Sequence, residues 1–174
     1  YKYDLTPLSK EEFPFFMKKR EFKAINVTIP YKEKVIPYLD DMDDNAKQIG
    51  AVNTIIHRNG KLMGYNTDYS GFQYMIENNR VTIQDKKVLV LGNGGASKAV
   101  VAVLKALKAK EIILVGRTLR ESTISFEECY KKHTDGEIIV NTTPVGMYPN
   151  IDESPLDLSH FKHCDAVLDI IYNP

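Results

Sequence analysis

Lys32 and Asp68 are the two side chains best suited to moving a proton. Lys32 closes the run Asn26-Val27-Thr28-Ile29-Pro30-Tyr31-Lys32, and Asp68 closes Tyr65-Asn66-Thr67-Asp68. A paired ammonium and carboxylate can pass a proton near neutral pH, and the ammonium also stabilises a developing alkoxide. Thr28 lies four residues before Lys32, and Gly50-Ala51-Val52-Asn53-Thr54 sets an amide at the start of a strand. Lys, Asp, Asn and Thr converging on one cleft form a donor set suited to a small polyhydroxylated acid. Taken singly, each has a plainer reading: Lys32 a surface cation, Asp68 a helix N-cap with Tyr69 at N1, Asn53 a turn former.

A second chemistry resides in Gly92-Asn93-Gly94-Gly95-Ala96-Ser97, which follows an apolar strand and opens a helix. Gly92 permits a tight turn, Gly94 lets backbone approach a pyrophosphate, and N–H groups at the helix start hold anionic oxygens. Ser97 replaces the third glycine of the G-x-G-x-x-G pattern but is small enough for close helix–strand packing. The plainer reading is a glycine-rich loop with no ligand. The next strand ends in Val115-Gly116-Arg117-Thr118, with Arg120 close behind, where an NAD-selective fold usually carries a carboxylate. A guanidinium pairs with a 2′-phosphate, so NADP is favoured over NAD, the alternative being a solvated surface arginine.

The elements that must position these groups fall into two grammars. In the first stretch, residues 1–5, 24–29, 51–57 and 61–65 read as strands. Arg58-Asn59-Gly60-Lys61 is a hairpin signal. Helical patterns occupy 10–18 and 32–48, the latter interrupted by Pro37, with Gly50 as a C-cap. Residues 69–78 read as an amphipathic connector. Beyond it, strand 87–91, helix 96–109 and strand 111–115 follow the βαβ pattern of a parallel sheet, joined by strands 137–141 and 166–171. Between Val115 and Glu137 the chain barely supplies a helix, 126–133, so this crossover is either trimmed or incomplete. Substrate-binding and catalytic residues are therefore expected in 1–67, a connecting helix in 68–80, and a dinucleotide-binding domain in 81–174.

Composition narrows the function classes. The chain has 174 residues, with 23 Lys plus Arg against 23 Asp plus Glu, and this zero balance argues against a nucleic-acid binder. Two cysteines make no disulfide scaffold, and no apolar run suits a signal peptide or a membrane span, so a soluble cytoplasmic protein is expected. Cys129 and His133 share helical spacing, and His160, His163 and Cys164 cluster, but no CxxC or HExxH spacing exists and no metal is expected. The chain opens within a strand-like run and closes at Asn173-Pro174, as a portion of a longer protein would.

Six blocks together resemble the shikimate dehydrogenase family: N-V-T-x-P-x-K at 26–32, G-A-x-N-T at 50–54, G-x-N-T-D-x-x-G at 64–71, G-x-G-G-A-S at 92–97, the R-T strand end at 116–118, and N-T-T-P-x-G-M at 141–147. The resemblance implies two α/β domains, an N-terminal substrate domain, incomplete here, and a Rossmann-like NADP-binding domain. It implies reversible NADPH-dependent reduction of 3-dehydroshikimate to shikimate, a step of aromatic amino-acid and chorismate biosynthesis. The family's catalytic pair falls on Lys32 and Asp68. Its substrate-binding residues fall on Thr28 and Asn53, with Tyr172 in a later loop near the active site. Its diphosphate loop falls on Gly92, Asn93, Gly94, Gly95, Ala96 and Ser97. Arg117, Thr118 and Arg120 take the 2′-phosphate, and Thr142 and Met147 pass near the nicotinamide.

The chain departs from the family pattern in three ways. The family's 2′-phosphate triplet is Asn-Arg-Thr, whereas Gly116 stands first here. A Ser-x-Ser motif that holds the substrate carboxylate precedes Tyr1 in the family. C-terminal helices carrying a Gln follow the point where this chain stops. Without those parts, cofactor binding would survive while catalysis would not. Rival readings are a non-catalytic or degenerate shikimate- or nucleotide-binding module of a fusion protein, a quinate/shikimate dehydrogenase using NAD, and another NADP oxidoreductase such as a methylenetetrahydrofolate dehydrogenase. The last does not explain the Asn-Thr-Asp block. A homodimer and a fusion to another pathway domain are the assemblies left open.

Overall fold

The computed structural model describes residues 2–118 and 122–171. The chain divides into two units, Tyr1–Asn66 and Thr67–Pro174.

In the first unit, Ser9 and Glu12 form a capping box: Glu12 N–H donates to Ser9 Oγ, and Ser9 N–H donates to Glu12 Oε2. Helix α1 (Glu12–Lys19) follows and buries Phe13 and Met17, four residues apart on one face. A mixed sheet contains β1 (Ala24–Asn26), β2 (Asp41–Met42), β3 (Thr54–Arg58) and β4 (Lys61–Tyr65) in the order β1-β3-β4-β2. β1 and β4 run antiparallel to β3, and β2 runs parallel to β4. The hairpin turn lies at Asn59 and Gly60, whose φ values of 52° and 74° supply the two positive torsions of a type I′ turn. Helix α2 (Asp44–Ile49) is capped by Asp43, whose carboxylate accepts from Ala46 N–H. Val35, Val52, Ile55 and Leu62 join Phe13 and Met17 in the core.

Two expectations fail in this unit. Residues 2–9 form no strand; Tyr3 and Leu5 are exposed, so their alternation has no face to bury. The helical pattern at 32–48, interrupted by Pro37, is α-helical only from Asp44 onward. A 3₁₀ turn at Ile36–Tyr38 carries Pro37, and the chain then extends because Asp40 and Asp43 N–H groups donate to the Leu62 and Gly64 carbonyls of β4. Pairing with the hairpin thus overrides helical spacing.

The second unit begins with helix α3 (Thr67–Asn78) and holds β5 (Lys87–Leu91), α4 (Gly95–Ala106), β6 (Glu111–Val115), β7 (Thr123–Ile124), α5 (Phe126–Lys132), β8 (Ile138–Asn141) and β9 (Ala166–Asp169). The sheet is wholly parallel, in the order β7-β6-β5-β8-β9. The α/β expectation thus holds. α3, read as a connector, packs Phe72 and Ile76 into this unit's core. The crossover after β6 is short, a two-residue strand and a seven-residue helix whose N-cap Ser125 accepts from Glu128 N–H.

Side-chain alternation divides each central strand between two layers. Val88, Val90, Ile138 and Val140 meet α3 and α4 through Phe72, Val100, Val103 and Leu104. Leu89, Leu91 and Ile139 meet Cys129, Leu156 and Phe161 on the opposite face. Burial on both faces is why these strands are continuously apolar.

The amino-terminal edge of the sheet is held by ions. Lys86 Nζ lies 2.8 Å from both Glu137 Oε1 and Asp165 Oδ2, and Lys87 Nζ lies 2.8 Å from Asp135 Oδ1 and 3.4 Å from Glu111 Oε2. Hydrogen bonds from Lys86 and from the Lys87 backbone hold the Glu137 carboxyl below its usual range. A hydrogen bond from Lys87 lowers Asp135 likewise. Lys86 is pushed up by Asp165 and Glu137. Burial opposes the charge on Lys87, but Asp135 and Glu111 outweigh it and its pKa rises.

Candidate active site

In the first unit, backbone bonds gather three of the expected site residues. Val27 N–H donates to the Asn53 carbonyl, and Val52 N–H donates to the Lys32 carbonyl, each at 2.8 Å. The segment carrying Thr28 and Lys32 is therefore laced to the one carrying Asn53. Tyr31 anchors the turn: its ring stacks on Phe13 at 4.3 Å between centroids, and its hydroxyl donates to the Leu8 carbonyl at 2.7 Å. Lys32 is half-buried and Thr28 exposed. Asn53 is buried, and its Oδ1 accepts from Thr54 Oγ1. Asn66, also buried, donates to the Ala51 carbonyl and so fixes the start of the Asn53 segment; sequence reading gave it no role.

In the second unit, Asp68 sits half-buried in the first turn of α3. The glycine-rich turn leaves β5 at the centre of the sheet, beside β8, where the strand order reverses. Ligands of open α/β sheets bind beyond the carboxyl ends at such a point. Gly92 has φ 105°, and a Cβ built there would lie 2.6 Å from Thr142 Oγ1, so both torsion and space exclude a side chain. Gly94, the N-cap of α4, offers no side chain to the helix-start N–H groups, and a Cβ there would meet nothing within 4 Å. Unsatisfied donors behind an open backbone fit a dinucleotide's diphosphate. Gly95 and Ala96 follow in the first turn of α4. Ser97 is buried, and its hydroxyl donates to the Gly94 carbonyl at 2.7 Å, closing the turn.

Arg117 and Thr118 are exposed beyond the carboxyl end of β6. The loop after β8 is a polar network. Asn141, buried at the strand end, donates through Nδ2 to Asp169 Oδ2 and the Val145 carbonyl; its Oδ1 accepts from Thr143 N–H and Oγ1. Thr142 Oγ1 donates to the Leu91 carbonyl at 2.7 Å, keying this loop against the glycine-rich turn. Met147, in the same loop, is exposed. Asn141 and Asp169 escaped the sequence reading as a pair; the available signal was an amide and a carboxylate ending two apolar strands. Arg120 and Tyr172 fall outside the described residues. Among those described, no three His, Cys, Asp or Glu side chains gather as a metal would need, and no helix is long and apolar enough to cross a membrane. Burial pushes the Cys129 and Cys164 thiols up.

Comparison with known proteins gives concordant results. Residues 1–55 match the family model for the shikimate dehydrogenase substrate binding domain. The shikimate dehydrogenase (NADP(+)) of Clostridium beijerinckii is 44% identical over 165 residues, which is 91% of this chain and 61% of that protein. The chain thus spans about three fifths of the length of the curated relatives it matches. A chorismate mutase/shikimate 5-dehydrogenase fusion protein from Clostridium acetobutylicum superposes with a TM-score of 0.80 at 37% identity, covering 94% of this chain and 62% of that one. The Thermus thermophilus shikimate 5-dehydrogenase in complex with NADP(H) and shikimate gives 0.79 at 30% identity, covering 96% and 66%.

Proposed function

Because this chain belongs to the shikimate dehydrogenase family, we propose that it serves the reversible, NADPH-dependent reduction of 3-dehydroshikimate to shikimate. The observation that carries this reading is the 44% identity to an NADP-dependent shikimate dehydrogenase across 91% of the chain. The turn at residues 92–97 takes the diphosphate on backbone N–H groups, while Arg117, Thr118 and Arg120 take the 2′-phosphate. Thr142 and Met147 line the nicotinamide side. When bound, the reduced nicotinamide supplies a hydride to the ring ketone. Lys32 stabilises the oxygen's growing negative charge, and the Lys32–Asp68 pair delivers the proton that completes the alcohol. Thr28, Asn53 and Tyr172 orient the substrate's hydroxyls by hydrogen bonding.

A cytoplasmic location suits the two free thiols, Cys129 and Cys164. The fusion protein among its relatives supports a second reading, in which this chain is one part of a multidomain pathway protein and contributes binding alone. NADP+ reduction with shikimate, then with quinate and with NAD+, separates these readings. Lys32→Ala and Asp68→Asn are each expected to lower turnover on the order of 10²–10³-fold while NADP+ affinity stays unchanged. Near-parental turnover in both variants would overturn the assignment, and a parent that binds NADP+ without turnover would establish the binding module.

A further inference from the structure

We propose that Asn93, in the glycine-rich turn, is a positioning residue for 2′-phosphate recognition: its side chain braces the loop carrying Arg117. The inference rests on the NADP reading above. Asn93 Nδ2 donates to the Thr118 carbonyl at 2.7 Å, bridging two loops that are remote in sequence. Directly beneath that bridge is Gly116. A Cβ built on Gly116 would stand 3.5 Å from Asn93 Cγ and Nδ2 and 3.2 Å from Thr123 Cγ2.

Gly116 does not lie in the left-handed region, so its torsions do not call for glycine. A Cβ there would press on Thr123 and rest in ordinary contact with the Asn93 amide. The loop's beginning is already fixed, since Gly116 N–H donates to the Ile124 carbonyl and Gly92 N–H to the Val115 carbonyl. Asn93 fixes its continuation at Thr118, so that the backbone on both sides of Arg117 is held. The bridge acts on the adenosine end of the nucleotide and leaves the diphosphate N–H groups untouched. Its removal should therefore be felt most by 2′-phosphorylated nucleotides.

The test is calorimetric titration of the protein with NADP+ and NAD+, supported by 2′,5′-ADP and 5′-ADP. Asn93→Ala should weaken NADP+ and 2′,5′-ADP about tenfold, the order expected for one lost hydrogen bond that orders a charged group. NAD+ and 5′-ADP should weaken less than their 2′-phosphorylated counterparts. Should Asn93→Ala fold poorly, Asn93→Ser, too short to reach Thr118, reads the same ratio. Equal weakening of NADP+ and NAD+, or no change in either, overturns the inference while leaving the parent's NADP+ binding intact. A parent that binds no NADP+ overturns the functional reading as well.

Discussion

The two ends of the parallel sheet are built from the same strands by opposite means. At the amino-terminal edge, lysines at 86 and 87 clamp carboxylates from the starts of β6, β8 and β9. At the carboxyl edge, glycines, hydroxyls and amides do the work: Gly92 against Thr142, Asn141 against Asp169 and Thr143. Partly buried ion pairs hold one edge, and largely neutral hydrogen bonds shape the edge at which we propose that a dinucleotide docks. The division has electrostatic logic. Lysine–carboxylate clamps near the turn would compete with phosphates for cations, whereas backbone N–H groups and satisfied amides leave Arg117 to the ligand.

The sharpest way to break this contrast is at Gly92. Gly92→Ala forces a side chain into a positive φ and onto Thr142, and should remove roughly 3 kcal/mol of stability through combined strain and overpacking. Urea unfolding reads this, and NADP+ affinity should fall with it.

A smaller effect is expected from Asn141→Asp, which sets a carboxylate against Asp169, whose Oδ2 lies 3.1 Å from the present amide nitrogen. The loss should be roughly 2 kcal/mol at neutral pH, as for a buried hydrogen-bond donor replaced by an unmatched acceptor. Crowded carboxylates prefer a shared proton, so the deficit relative to the parent should shrink as pH falls. Urea midpoints at neutral and mildly acid pH would show it, and a deficit independent of pH would refute the picture.

The smallest effect belongs to the opposite edge. Glu137 and Asp135 have folded pKa values below their unfolded ones, so their contribution is complete above the ordinary carboxylate range of about 4 and is lost as acid drives pH through the lowered values. Lys86 and Lys87 have raised values, so theirs is complete below about 10 and fades as pH climbs through the raised ones. Glu137→Gln should flatten the acid limb of the stability profile while leaving NADP+ affinity at its parental level. An unchanged acid limb would mean that this edge is not what the titration reports.

Much of this architecture could be read from residue order. β5 falls where its continuous apolar run places it, because a strand buried on both faces needs no alternation. The Asn59-Gly60 turn and the glycine-rich loop are equally plain, since both depend on torsions that few residues accept. Residues 32–48 misled because Leu62 and Gly64, distant in sequence, recruit the backbone of Asp40 and Asp43 into extended pairing. The polar ties of the site were hidden for the same reason. Asn93 with Thr118, and Asn141 with Asp169, are single hydrogen bonds between remote positions, which no local period encodes.

The Asn59-Gly60 turn also sets an order in time. It brings Arg58 beside Lys61, so β3 and β4 can zip from a tiny closed loop, an event of roughly 1–10 μs for a hairpin. The central pairing of the parallel sheet lacks that shortcut: Lys87 must find Glu111 with all of α4 between them. Long closures of this kind slow assembly. The hairpin that β1 and β2 flank is therefore expected to stand early, giving the Asn53 segment a surface to settle on before the nucleotide-side sheet has formed.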